Sequence, residues 1–219
     1  DVARHAGVSK ATASRALTGS GYVSDNTRSR VQAAAHTLGY VPSTNAVSLA
    51  TGRTRSVGVI MPYLNRWFFA EVLEGVQEVL LAEGLDLVLY DARPDTEGRR
   101  RIFDDFLARK RFDGLIAVGL EPNGQELERL LQIDRPVVSV VGGDSRTSTV
   151  AIDDAHAIRR ATEHLIALGH TNITFLGGGL MNPPPRVEVA RLESFRETMA
   201  HAGLEAPHIP SPTTIPGAY

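Results

Sequence analysis

Between Lys10 and Arg15 the chain places two cations, two hydroxyl side chains and two alanines in six positions. Lys10, Ala11, Thr12, Ser14 and Arg15 fall on the outer face and first turns of a short helix, while Ala13, Ala16 and Leu17 repeat at the spacing of an inner face. Small, polar and basic side chains on such a helix suit entry, N-terminal end first, into a groove about as wide as the helix itself. A second cluster, Ser24, Asn26, Thr27 and Arg28, stands at another helix start. There, free backbone N–H groups and the helix dipole attract phosphate. The same residues also fit simple capping with a solvated basic face. A third group is Tyr63, Trp67, Phe68 and Phe69, at a turn from strand to helix. Aromatic rings at a cleft mouth stack on a sugar or a base. They equally suit the hydrophobic start of a core helix, and for one of the two phenylalanines that is the better-fitting role. Asp91 follows a second apolar run, and Arg191 lies on the first turns of a later helix, where it either points into the same cleft or pairs with a neighbouring acid such as Glu188.

The elements that hold these residues follow from hydrophobic spacing. Val2, Ala3 and Ala6 mark a first short helix, and Gly7 ends it because glycine reaches a left-handed conformation at little cost. Ser9 is a good N-cap for the second helix and Ser24 for a third, Asp25 to Leu38, with Val31, Ala34, Ala35 and Leu38 inward. Gly39 closes that helix, and Tyr40 and Val41 are expected to pack back on the first two. An Ala-x3-Gly-x-Ser turn alone also fits any surface helical hairpin. After Pro42, Ser43 is placed to cap a short helix from Thr44 to Ala50, whose Ala46 and Leu49 form an apolar face with nothing obvious to bury it. One use for that face is a pair of hinge helices in a minor groove, with Leu49 as a wedge between base steps. A linker helix resting on the next domain is the alternative.

From Ser56 onward, short apolar runs alternate with helical stretches. The runs are 57–61, 85–90, 114–118, 137–141, 150–152 and 173–176; the helices are expected near 68–83, 95–109, 123–132, 154–168 and 187–202. Near-continuous apolar strands between helices indicate a parallel sheet covered on both faces, with ligands beyond the carboxyl ends of the strands.

Charge divides the chain in the same place. Residues 1–56 carry seven Lys/Arg against two acids, and the remainder carries 16 against 23, beneath a net charge of only −2. A basic module ahead of an acidic body is the footprint of a phosphate-binding headpiece. The absence of cysteine excludes a disulfide scaffold, a thiolate metal site and a cysteine nucleophile. There is no G-x-S-x-G, Walker loop or H-E-x-x-H, and the glycines at 177–179 do not form a dinucleotide fingerprint. His156, His164 and His170 share no helix face suited to a metal. Neither a cofactor nor catalysis is expected. No apolar run approaches a membrane span and no signal peptide is visible, which makes the cytoplasm the default.

The runs DVARHAGVSKATASRALTG and YVSDNTRSRVQAAAHTLGYVPSTNAVSLATGRTRSVGVIMP, then FFAEVLEGVQEVLLAEG, KRFDGLIAVG, IDDAHAIRRATEHLIALGHTNITFLGG and ARLESF, resemble the lactose/galactose repressor family over nearly the whole chain. The resemblance implies an all-α helix-turn-helix headpiece (1–41), a hinge helix and linker (42–55), and an α/β core with parallel sheets. That core would be periplasmic-binding-protein-like, with Rossmann-like subdomains at 56–148 and 149–219, the second continuing beyond Tyr219. It implies a dimeric or tetrameric regulator, a repressor of carbohydrate-utilisation genes that binds double-stranded operator DNA and answers to a sugar or sugar derivative. Matched position by position, Lys10, Ala11, Thr12, Ser14 and Arg15 would be recognition-helix contacts. Tyr22, Ser24, Asn26 and Thr27 would touch backbone or flanking bases, and Ser43, Asn45, Ala46 and Leu49 would be hinge positions. Phe68, Phe69 and Arg191 would face the effector. A sugar-binding protein without DNA function is the alternative.

The chain departs from the family pattern at several places. Val47 stands where arginine is frequent, Arg66-Trp67 where Asn-Pro precedes the Phe pair, Gly142-Gly143 where Asp-Arg is common, Ala157-Ile158 where Gly-Gly is common, and Ser194 where glycine is usual. The identity of the effector therefore does not carry over from any one member.

Overall fold

The computed structural model describes residues 1–41, 48, 51–142, 146–178 and 184–211. The headpiece consists of α1 (Val2–His5), α2 (Lys10–Thr18) and α3 (Asp25–Thr37). Gly7 takes φ +63°, which turns the chain between α1 and α2. The Ser9 hydroxyl accepts the Thr12 N–H at 3.1 Å, and the Ser24 hydroxyl accepts the Thr27 N–H at 3.4 Å. Both caps satisfy backbone donors that a helix start leaves open. The three helices close on Val2, Ala6, Ala13, Ala16, Val23, Val31, Ala34 and Ala35. Arg30, exposed on α3, donates from Nη2 to the Ala6 carbonyl at 2.6 Å and ties α3 to the end of α1.

Tyr40 and Val41 do not pack back as expected: they are 48% and 82% exposed, and Leu38 also faces solvent. Ala34 and Ala35 already close the small core, and α3 ends before Leu38, so the following residues find no apolar surface to cover.

The α/β part begins with β1 (Ser56–Met61), α4 (Trp67–Ala82), β2 (Asp86–Asp91) and α5 (Glu97–Arg101). A π turn, Ile102–Phe106, and a 3-10 turn, Leu107–Arg109, continue α5, followed by β3 (Gly114–Val118), α6 (Gly124–Leu131), β4 (Val137–Val140) and β5 (Ser148–Val150). The one regular helix expected over 95–109 is thus three short pieces. Ile102, Phe103 and Leu107 are all buried across them.

The five strands form one parallel sheet in the order β2-β1-β3-β4-β5. Alternate residues of β1 serve its two faces. Ile60 joins Tyr90, Phe103, Phe112, Leu115 and Leu130 on one side, and Val59 and Met61 join Val118, Phe68, Phe69 and Val72 on the other. Both faces are therefore covered, which is why the strands read as continuous apolar runs. The fifth strand lies two residues earlier than its apolar run, because an edge strand is held by backbone pairing: Val138 faces Ser148 and Val140 faces Val150, while Val150 and Ile152 remain exposed. The expected division at 148/149 thus cuts a strand of the first sheet.

Beyond it, α7 (Asp154–Ala167) and α8 (Arg186–His201) pack together through Ile158, Ile166, Leu192, Phe195 and Met199. A short parallel pair, β6 (Phe175–Leu176) and β7 (His208–Ile209), lies beside them, and the hydrophobic spacing had not marked β7. Ser194, buried, donates its hydroxyl to the Ala155 carbonyl at 2.6 Å, so the position where a glycine is usual becomes a polar tie between the two helices.

Candidate functional site

On the headpiece, Lys10, Ala11, Ser14 and Arg15 are exposed along α2, and Thr12 is half-buried with its hydroxyl 2.9 Å from that of Ser9. Arg15 lies back along its own helix, its Nε donating to the Ala11 carbonyl at 3.3 Å. Tyr22 stands 91% exposed in the loop before α3. Ser24 and Asn26 are exposed and Thr27 and Arg28 are half-buried, with the Ser24 hydroxyl donating to that of Thr27 at 2.9 Å. Capping and solvent exposure therefore coexist at the start of α3. Ser43, Asn45, Ala46 and Leu49 lie outside the described residues. Among the described residues beside them, the Gly52 N–H donates to the Ser48 carbonyl at 2.8 Å.

In the sheet the strand order reverses between β1 and β3, and the crevice beyond their carboxyl ends is where such folds bind ligands. Phe69 sits at that point. Gly119, at φ +54°, follows β3, and a Cβ there would lie 2.8 Å from Phe69 Cε1, so only glycine lets the ring approach. Phe68 and Phe69 meet edge to face with centroids 5.4 Å apart, and Tyr63 meets Phe69 at 5.9 Å. Both phenylalanines are half-buried and pack against the buried Val59, Met61 and Val118. Trp67 beside them is 77% exposed, and the Arg66 guanidinium stacks 3.4 Å from the centre of the Tyr63 ring.

Asp91, at the end of β2, accepts from Arg93 Nη2 at 2.9 Å through Oδ2. Its Oδ1 is buried and has no hydrogen-bond partner among the described residues. Arg191 is paired with neither Glu188 nor a first-sheet residue. Its Nε donates to Asp154 Oδ1 at 2.7 Å, on the first turn of α7, and the pair is only partly shielded.

Two ties around the cleft escaped the reading by motif. Arg99 forms a two-pronged pair with Glu126 at 2.7 and 2.8 Å and also donates to the carbonyls of Ala92 (3.1 Å) and Glu121 (2.9 Å). It thereby fastens the loops after β2 and β3 to the start of α6. The visible signal was Asn123-x-x-Glu126, a capping box in which each side chain accepts the other residue's N–H at 2.9 Å. The second tie is Glu121, whose Oε1 accepts the Arg186 N–H at 2.8 Å and so joins the loop after β3 to the start of α8.

At the opposite, N-terminal end of the strands, Asp113 Oδ1 accepts from the Thr54 N–H (2.8 Å) and hydroxyl (3.0 Å), and Oδ2 from the Arg55 N–H (2.9 Å). Burial pushes its carboxyl pKa up, but these bonds and the nearby Arg135 outweigh it and hold the group below the usual carboxylate range. The Tyr90 phenol is raised by burial, opposed by Arg111 and Arg109. Among the described residues no cluster of three or more His, Cys, Asp or Glu is placed to hold a metal ion, and no helix is long and apolar enough to cross a membrane.

Residues 1–43 match the family model of bacterial regulatory proteins of the lacI family, and residues 54–214 match that of periplasmic binding proteins and the sugar binding domain of the LacI family. The chain belongs to the lacI family. It is 31% identical over 210 residues to the ribose operon repressor of Escherichia coli (strain K12), covering 94% of this chain and 62% of that protein. It is 30% identical over 206 residues to catabolite control protein A of Priestia megaterium, covering 93% and 61%. A LacI-family regulator from Silicibacter pomeroyi superposes with a TM-score of 0.73 at 34% identity, over 95% of this chain and 62% of that one. The chain thus spans about three-fifths of the length of these relatives. Both curated relatives are regulators rather than enzymes.

Proposed function

We propose that this lacI-family chain belongs to a ligand-responsive transcription repressor of carbohydrate-utilisation genes, acting in the cytoplasm on double-stranded operator DNA. The observation that carries the reading is the exposed Lys10–Arg15 face of a helix capped by Ser9, in a basic headpiece ahead of a parallel-sheet core. In this reading Lys10, Ala11, Thr12, Ser14 and Arg15 enter the major groove. Tyr22, Ser24, Asn26, Thr27 and Arg28 meet the phosphates at the start of α3. Two copies of the chain, as a homodimer or as half of a tetramer, read a near-palindrome. Ser43, Asn45, Ala46 and Leu49 order in the central minor groove, where Leu49 unstacks a base step.

The effector is a sugar or sugar derivative held beyond the carboxyl ends of the strands. Phe68 and Phe69 offer it ring surface, Asp91 Oδ1 offers a buried acceptor without a partner among the described residues, and the Asp154-oriented Arg191 offers donors. Bound there, it favours one relative placement of the two subdomains and so releases the DNA.

Selection from a random duplex pool by the full-length protein, repeated with a panel of sugars and sugar acids, tests this. The expected result is a palindrome with a fixed central step, lost on adding one compound. No enrichment from a folded, dimeric protein would overturn it in favour of a sugar-binding protein without DNA function. Arg15→Ala is expected to cost about 1–3 kcal/mol of binding to the selected duplex, measured by titration.

A further inference from the structure

The linker enters the core at one residue that is gripped from three sides. Arg55 takes φ +52°, a backbone conformation that side chains other than glycine rarely adopt. Its N–H donates to Asp113 Oδ2 at 2.9 Å, just ahead of β3, and its carbonyl accepts the Asp86 N–H at 2.9 Å, at the start of β2. Its guanidinium Nη2 donates to the carbonyls of Gly84 (3.0 Å) and Glu83 (3.4 Å), which end α4. The last turn of α4 has no basic residue of its own, so Arg55 supplies the cation that a helix C-terminus favours. Thr54 is held by the same Asp113 carboxylate through both its N–H and its hydroxyl. Several interlocking contacts keep one linker residue in a conformation it would not hold alone.

The other end of α4 is the cleft. Phe68 and Phe69 occupy its first turn, and a helix of 16 residues spans about 24 Å. One rigid element therefore has effector-facing rings at its start and the linker's Arg55 at its end.

We propose that Arg55, seated on the end of α4 and on Asp113, is the positioning residue that couples the cleft to the headpiece. The inference rests on the DNA-binding, ligand-responsive reading above. A displacement of α4 at Phe68 and Phe69 moves the Glu83 and Gly84 carbonyls, and with them the point from which the linker departs. The same coupling runs in reverse: DNA that fixes the headpiece and linker must steady the end of α4, because coupling between two sites is reciprocal.

Hydrogen exchange of the full-length protein, with and without the duplex enriched from the random pool, tests this. In the parent, duplex should protect the headpiece and also slow exchange over residues 79–86 by about fivefold or more, the low end of ordinary coupling. Arg55→Ala and Asp113→Asn should keep headpiece protection and lose the response of 79–86, and Arg55→Lys should restore part of it. A merely structural role would lower thermal stability in these variants and leave the α4 response intact, which overturns the proposal. Headpiece protection with no α4 response in the parent overturns it as well. If duplex protects nothing in the parent, the DNA-binding reading falls and the coupling with it. Arg55 is exposed, so Arg55→Ala remains informative even if Asp113→Asn fails to fold.

Discussion

The headpiece and the first sheet of the core solve the same problem with different materials. The headpiece encloses five alanines and three valines, and each methyl group removes little apolar surface from water. The Ser9 and Ser24 caps fix the starts of α2 and α3, and the Arg30 bond to Ala6 ties α3 to α1. The sheet instead buries Tyr90, Phe103, Phe112, Leu115 and Leu130 on one face alone. Its contacts join residues tens of positions apart, as in the pairing of Val57 with both Leu87 and Gly114. A small unit held by local signals is easily disturbed by small changes, whereas a large core tolerates the loss of a cap and is sensitive to the loss of a ring.

That contrast can be broken from either side. Phe112→Ala should have the largest effect. The ring is fully buried and meets Tyr90 edge to face at 6.2 Å, so its removal should cost the core about 3–5 kcal/mol in urea unfolding. Hydrogen exchange in α1–α3 should be unchanged. Val31→Ala, at a position with no exposure, should cost about 2 kcal/mol, and the exchange data should show the loss in the headpiece alone. An equal loss in the core strands would mean that the two units unfold together. Ser9→Ala should cost the headpiece about 1 kcal/mol, with Ser9→Asp close to the parent, as read from thermal melts followed by circular dichroism.

The smallest effect belongs to pH and to the junction between the units. Asp113 binds its proton less tightly in the folded protein than in the unfolded chain. Its contribution is therefore complete above the ordinary carboxylate pKa, about 4, and is lost as pH falls through its lower folded value. Stability measured from pH 7 down to 3 should fall less in Asp113→Asn than in the parent.

Much of this was legible because it is local. Gly7, Ser9, Ser24 and the inward alanines specify the headpiece within a few residues of one another, and the strands announced themselves because both faces of the sheet are covered. The misreadings have one origin. The placement of β5, the broken helix over 97–109 and the exposure of Tyr40 and Val41 depend on what the rest of the chain leaves available to pack against. Candidate site residues were legible by type and spacing, whereas their partners were not. Spacing alone left several acids open to Arg191, and the fold chose Asp154, 37 positions away.

By itself, then, the sequence determined a basic helical headpiece, a linker and a parallel α/β core, because helix caps, turns and hydrophobic period act over distances of a few residues. Only the tertiary structure decided that Phe69 closes against Gly119, that Arg99 and Glu121 tie the loops around the cleft, and that Arg55 seats on the end of α4. Those contacts join residues distant along the chain, and hydrogen-bonding geometry selects one partner from many residues of the right type.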